Sequence, residues 1–152
     1  MSRFEQLQAA YSDATAANHR YWSQMHQVIR GLPKDFCEYL GVDSNLNVPL
    51  GGAGVPAVTI GSSDDKNDFL PWAVDMLPRS GQAIECALRL TFGNQANSTP
   101  PPVFVAYLSI AGIGDDLFVV KVRGQDESEF KGPVFTELFE SVFRRAMITL
   151  GA

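Results

Sequence analysis

Ala83-Ile84-Glu85-Cys86-Ala87-Leu88-Arg89-Leu90-Thr91-Phe92 is the stretch that decides the fold. Ile84, Cys86, Leu88, Leu90 and Phe92 alternate with Ala83, Glu85, Ala87, Arg89 and Thr91, which is the two-residue period of a β-strand. The first row is apolar and the second is mixed. One face is therefore buried and the other at least partly wet, as in an antiparallel sheet.

Downstream, Val103 to Ala111 is apolar on both faces and belongs at the centre of the sheet. Gly112 to Asp116 reads as a turn, and Leu117 to Arg123 as the returning strand. In it Phe118, Val120 and Val122 face the core, while Lys121 and Arg123 face out. Upstream, Arg79 to Gln82 is a turn. Phe69 to Leu77 is a candidate strand that Pro71 confines to an edge. Ser62 to Asp68 reads as an exposed polar turn and Val55 to Ile60 as a short strand. From Val42 to Gly54 the chain is loop-like.

Helices bracket these strands. Phe4, Leu7, Tyr11, Ala14, Asn18, Tyr21, Met25, Val28 and Leu32 recur in steps of three and four and form one helical stripe. From Arg3 to Arg30 such a helix spans roughly 40 Å, about the width of a domain of this length, so it crosses the domain, bends or projects. The flanks hold Ala10, Ala17, Trp22, Gln24 and Ile29 rather than the paired charges of a two-stranded coil, which favours packing on a sheet or in a helix hairpin. Leu32-Pro33 is expected to end this helix. A short second helix then starts at Pro33, with Phe36, Cys37 and Leu40 on one face and Gly41 as its C-terminal cap. Pro133 is expected to open a C-terminal helix whose stripe is Phe135, Leu138, Phe139, Val142 and Ala146. Phe143 and Met147 lie beside that stripe and leave room for a second contact.

The expected fold is one α+β domain over residues 1–152. It has two layers: an antiparallel four- to five-stranded sheet, with a long N-terminal helix, a short second helix and a C-terminal helix. The 45% apolar and 19% charged composition is that of a globular chain. The formal net charge of -5 argues against nucleic acid and against an anionic membrane surface as partners. Met1 to Gln6 lacks the apolar core of a secretion signal, and no apolar run reaches membrane-span length. The cytoplasm is the expected compartment.

Chemistry is sparsely signalled. Gly51-Gly52-Ala53-Gly54 lacks the following helix and the lysine of a phosphate loop. Asp64, Asp65 and Asp68 do not match calcium-loop spacing, and Asp115 and Asp116 suit a hairpin turn. His19 and His26 stand two helical turns apart, too far for a one-helix zinc pair. Cys37 and Cys86 read as buried thiols. No nucleophile elbow is present. These absences predict no catalytic residue, no metal and no cofactor, and make an enzyme the less favoured reading.

Two surfaces remain as candidates. Glu85, Arg89, Tyr107, Lys121 and Arg123, with Thr91 and Ser109, would share the open sheet face. They could bind a small ligand or carry a reaction together with the loop 93–102. Tyr11, Tyr21 and Trp22 would give the long helix more aromatic surface than one small sheet needs, and such residues anchor interfaces. Asn18, on the same stripe and grouped with them as a partner-binding candidate, is either a partner-specifying polar residue or the point where the stripe reaches solvent. The expected function is a non-enzymatic protein-binding module, adaptor, chaperone-like or immunity-like, with a protein partner and a possible homodimer. Small acidic proteins with terminal helices around an antiparallel sheet occur among bacterial secretion chaperones and toxin-neutralising immunity proteins. That likeness is one of architecture and transfers no site.

Overall fold

The structure, a computed structural model, describes residues 2–63, 69–71, 73–93, 99–114, 117–123 and 129–151. The chain is α+β, with a long helix at its start, antiparallel strands in the middle and a helix at its end.

α1 runs Arg3–Leu40 without interruption. Ser2 caps its start, its hydroxyl accepting the Glu5 N–H at 3.1 Å. Gly41 ends it in the left-handed region, φ 80°, where glycine carries no steric penalty. The expected break at Pro33 does not occur. Proline inside a helix forfeits one hydrogen bond and costs about 3 kcal/mol. Phe36 and Cys37, one turn further on, continue the buried row Met25, Ile29 and Leu32. Burying a side chain such as Phe36 contributes about 1.5–3 kcal/mol. The burial gained beyond Pro33 offsets its cost, so the expected short second helix is the last turns of the first.

Two further expectations fail between residues 42 and 63. The loop-like stretch contains a hairpin, β1 (Asn47–Leu50) and β2 (Ala53–Pro56). Gly51 and Gly52 form its turn with φ 59° and 88°, and a two-residue hairpin turn needs positive φ at both positions. Their glycine content is turn chemistry rather than slack. The single strand expected over 55–60 is divided between β2 and β3 (Val58–Ser63).

Beyond the hairpin lie β4 (Phe69–Pro71), β5 (Arg79–Ser80), β6 (Ala83–Thr91), β7 (Val103–Gly114), β8 (Leu117–Val122) and β9 (Glu129–Gly132). Among the described residues β3 to β9 form one seven-stranded sheet, more than the four or five strands expected. Its order is β4-β3-β6-β7-β8-β9, and β5 also pairs with β6. All pairings are antiparallel. β7 is central and β4, with Pro71, is an edge. Between β4 and β5 a 3-10 turn at Val74–Met76 replaces the rest of the strand expected over 69–77. β7 continues through Gly112 to Gly114, into the stretch expected to turn. Asp64, Asp65, Asp68, Asp115, Asp116 and the loop positions 94–98 lie outside the described residues.

α2 runs Thr136–Thr149. Pro133 does not open it, because Gly132 is still paired with Phe118 in the sheet. A Cβ on Gly132 would lie 2.4 Å from the Phe135 ring, so that ring folds directly over the glycine.

The core is one cluster between helices and sheet. Met25, Ile29, Leu32 and Phe36 of α1 and Leu138, Phe139, Val142 and Ala146 of α2 meet Ile84, Leu88, Leu108, Ile110 and Val120. The helices touch through Phe36 and Phe139, ring centroids 4.8 Å apart and edge-to-face.

Glycines in the sheet differ in what they touch, which makes the packing testable. A Cβ on Gly61 would lie 2.2 Å from the Leu70 carbonyl oxygen and 2.7 Å from the Phe69 ring, whereas on Gly54 it would meet only Asn47 at 3.8 Å. Gly61→Ala is expected to destabilise the fold by about 1–3 kcal/mol, the usual range for overpacking. Gly54→Ala should be close to neutral. Urea unfolding of the two variants checks the contrast.

Candidate functional site

α1 divides into two halves of different character. From Tyr21 onward it packs on the sheet. Residues 3–20 are exposed on every side, and their eighteen positions extend about 27 Å. Along that half Phe4 is 68%, Leu7 68% and Tyr11 75% exposed.

The boundary is built by Tyr21. Its hydroxyl accepts the Gly112 N–H at 3.0 Å and donates to the Gln82 carbonyl. A Cβ on Gly112 would stand 2.9 Å from the Tyr21 ring, so glycine is required for this approach. Trp22 is buried, edge-on to Tyr21 at 4.9 Å. The Arg79 guanidinium lies 4.0 Å over its ring, and its indole N–H donates to the Asn18 side chain at 3.2 Å. Of the four partner-binding candidates, Tyr11 stands free in solvent. Asn18 is exposed but holds Trp22. Tyr21 and Trp22 serve the anchorage of the helix.

Beside this root is a hollow of about 440 Å³ lined by Ala17, Arg20, Tyr21, Gln24, Gly112 and Gly114. Ile113 and Leu117, exposed, belong to the same end of the sheet.

An apolar groove of about 450 Å³ opens at the other end of the packed half of α1. Leu40 and Val42 form one side, Leu46 and Val48 of the β1 hairpin another, and Phe143, Met147 and Leu150 of α2 a third. Thr91 lies on its floor with a buried hydroxyl that has no hydrogen-bond partner among the described residues. Sequence reasoning marks only Phe143 and Met147 as spare surface, because the groove depends on a hairpin it does not anticipate.

The outer sheet face carries a cleft of about 410 Å³ whose lining includes Glu85, Tyr107, Ser109, Lys121 and Arg123. The register explains the grouping, since Glu85 pairs with Ser109 and Ser109 with Lys121. The Ser109 hydroxyl donates to Glu85 at 3.3 Å, Lys121 sits 3.6 Å from Glu129, and Arg123 lies 5.1 Å over the Tyr107 ring. Arg89 does not line the cleft. Its guanidinium lies 4.5 Å over Phe69, the ring that covers Gly61, and burial lowers its pKa.

Both cysteine thiols are pushed away from the reactive thiolate. Burial pushes the Cys86 thiol up to about 12, with Glu85 adding to the rise. Burial, then Asp43, raises the Cys37 thiol. Neither is a thiolate at neutral pH. Among the described residues no group of three or more His, Cys, Asp and Glu could hold a metal ion. None of the described helices is long and apolar enough to cross a membrane. No family model, curated protein or solved structure matches this chain.

His26 sits on the packed half of α1, 3.7 Å from Asp75, which also hydrogen-bonds Arg30. Burial lowers its pKa; Asp75 opposes this, and Arg79 and Arg30 reinforce it. A folded pKa below the unfolded 6.5 means that the unfolded chain binds the proton first as pH falls. The stability held above pH 6.5 is then lost through the lowered folded pKa. The native protein should lose melting temperature from pH 7 to pH 5, and His26→Gln should flatten that loss. Thermal unfolding at half-unit pH steps reads the difference.

Proposed function

We propose that this chain is a non-enzymatic protein-binding module of adaptor, chaperone-like or immunity-like type, acting as a homodimer in the cytoplasm. One observation carries the reading: eighteen helical residues stand clear of their own domain with an apolar stripe on them. Most helical stability in proteins comes from packing an apolar face, and this half packs its stripe on nothing of its own chain. A helix meant only for solvent would be polar all round. The stripe therefore asks for a protein surface. The groove at the far end, rimmed by exposed Phe92, Phe143, Met147 and Leu150, is a second surface of the same kind. Its shape and lining suit the apolar face of a helix.

The net charge of -5 supports a partner other than nucleic acid. The high thiol pKa values favour binding over nucleophilic chemistry. A small-ligand reading rests on the cleft that gathers Glu85, Tyr107, Lys121 and Arg123. The two readings separate by experiment. Leu7→Glu combined with Tyr11→Glu changes only exposed side chains, so the fold and its melting temperature should persist while a defined protein complex isolated from the native host is lost. Lys121→Glu should leave that complex intact. The opposite pattern, or a metabolite-dependent rise in melting temperature abolished by Lys121→Glu, would replace protein binding with ligand binding.

A further inference from the structure

We infer that the partner of the projecting half of α1 is the same segment of a second copy, paired antiparallel so that residue i lies level with residue 25 − i. This rests on the reading of that half as a contact surface and names its occupant.

The stripe is its own two-fold image. Phe4, Leu7, Tyr11, Ala14, Asn18 and Tyr21 map onto Tyr21, Asn18, Ala14, Tyr11, Leu7 and Phe4. Each bulky Tyr11 then meets a small Ala14 of the other helix, and the layer occurs twice. Large against small is the complementarity a close helix pair needs. Asn18, facing Leu7 of the second copy, already has its side-chain oxygen engaged by Trp22. A polar residue at one seam position costs stability and fixes register. Shifting the pair by one heptad either shortens the overlap or drives the second helix over Val28, where α1 already packs against its own core.

The root of the helix provides the other half of the fit. In this register Phe4 of the second copy arrives level with Tyr21. There the hollow between Ala17, Tyr21, Gln24, Gly112 and Gly114 lies open. The pairing ends where the helix meets the sheet, so the overlap coincides with the exposed segment.

Charge permits the match. The whole chain carries -5, but Arg3 and Arg20 balance Glu5 and Asp13 in the projecting half. The flanks of the seam are Arg3, Gln8, Ala10, Thr15 and Ala17. Arg3, the one charge among them, comes level with Trp22 of the second copy, so no like charges face each other beside it. Area permits it too. A fully buried aromatic side chain contributes roughly 150–250 Å². At their observed exposures Phe4, Leu7 and Tyr11 together offer about 400 Å² per copy. Two copies reach about 800 Å² of the roughly 1,200 Å² of a modest stable interface. Ala14 on the seam, Ala10 and Ala17 beside it, and exposed Ile113 and Leu117 at the root add to that area.

Sedimentation and spin-label distances test this on the full chain. The expected species at about 100 µM is a dimer. Labels on Asp13→Cys should lie close together, offset by about one residue along the axis. Labels on Glu5→Cys should be offset by about 22 Å. Both native thiols are buried, and unlabelled wild type is the control. Ala14→Tyr should weaken the dimer at least tenfold by setting Tyr against Tyr. Tyr11→Ala with Ala14→Tyr should restore it to within about threefold, because the layer is rebuilt in reverse. A monomer at 100 µM, equal distances at the two sites, or no restoration by the double swap overturns the self-pairing. If such a monomer still loses a native protein complex on Leu7→Glu with Tyr11→Glu, the helix remains a contact surface for another protein. If it loses none, the wider reading fails as well.

Discussion

The hydroxyl of Tyr21 joins three parts of the chain. It sits on α1, accepts from the backbone of Gly112 in β7 and donates to the carbonyl of Gln82 at the start of β6. Both positions are at one end of the sheet, so the phenol fixes where the helix leaves it. Gly112 permits the approach by having no side chain, and Trp22 wedges the next position against Arg79. C-terminal to this point one face of α1 shares the core. Everything N-terminal to it is solvent-facing. The overhang is thus presented at a set angle by an anchored root, and a surface held that way loses little entropy on binding.

Burial along the packed half explains the continuity of the helix. Met25, Ile29, Leu32 and Phe36 form a row that is fully buried in the core shared with the sheet and α2. Proline at position 33 is a local penalty, while that row is a non-local gain. The gain exists only once the sheet is in place, and Phe36 then also meets Phe139 of α2.

The same contrast separates what was legible in the sequence from what was not. The alternation from Ala83 to Thr91 and the central place of Val103 to Ala111 follow from period and polarity, and the structure has them. The stripe of α2 follows in the same way. Elements decided by pairing do not show this signal. β9 has four residues with no long alternation, and its order comes from pairing with β8. The β1 hairpin was hidden because Gly51 and Gly52 look like slack unless their positive φ is known. The aromatic residues of α1 are a third case. Tyr11, Tyr21 and Trp22 are equally conspicuous in sequence, yet only Tyr11 is surface. Helical period places them relative to one another but not relative to the sheet edge. That Glu85, Tyr107, Lys121 and Arg123 share a face was legible because alternation sets the face. Which of them come side by side was not, because that needs the strand order and register. The separation of Arg89 was not, because it depends on Phe69 folding back over Gly61.

The two apolar surfaces lie at opposite ends of the packed half of α1, and this limits the assemblies the fold supports. The overhang leaves past Gly112, while the groove opens past Leu40, twenty residues further along the same helix. That separation is about 30 Å. A partner on the groove therefore does not compete with one on the overhang. If overhang met groove between copies, each contact would join unlike surfaces, and such a heterologous arrangement closes only when its rotation allows and otherwise propagates. Pairing overhang with overhang is isologous and closes at two copies. It leaves both grooves facing outward, each with the Thr91 hydroxyl, unpartnered among the described residues, on its floor. A dimer built that way presents two equivalent apolar sites on the outer ends of a rigid pair of helices, which is the geometry that lets two weak contacts to one extended partner act together.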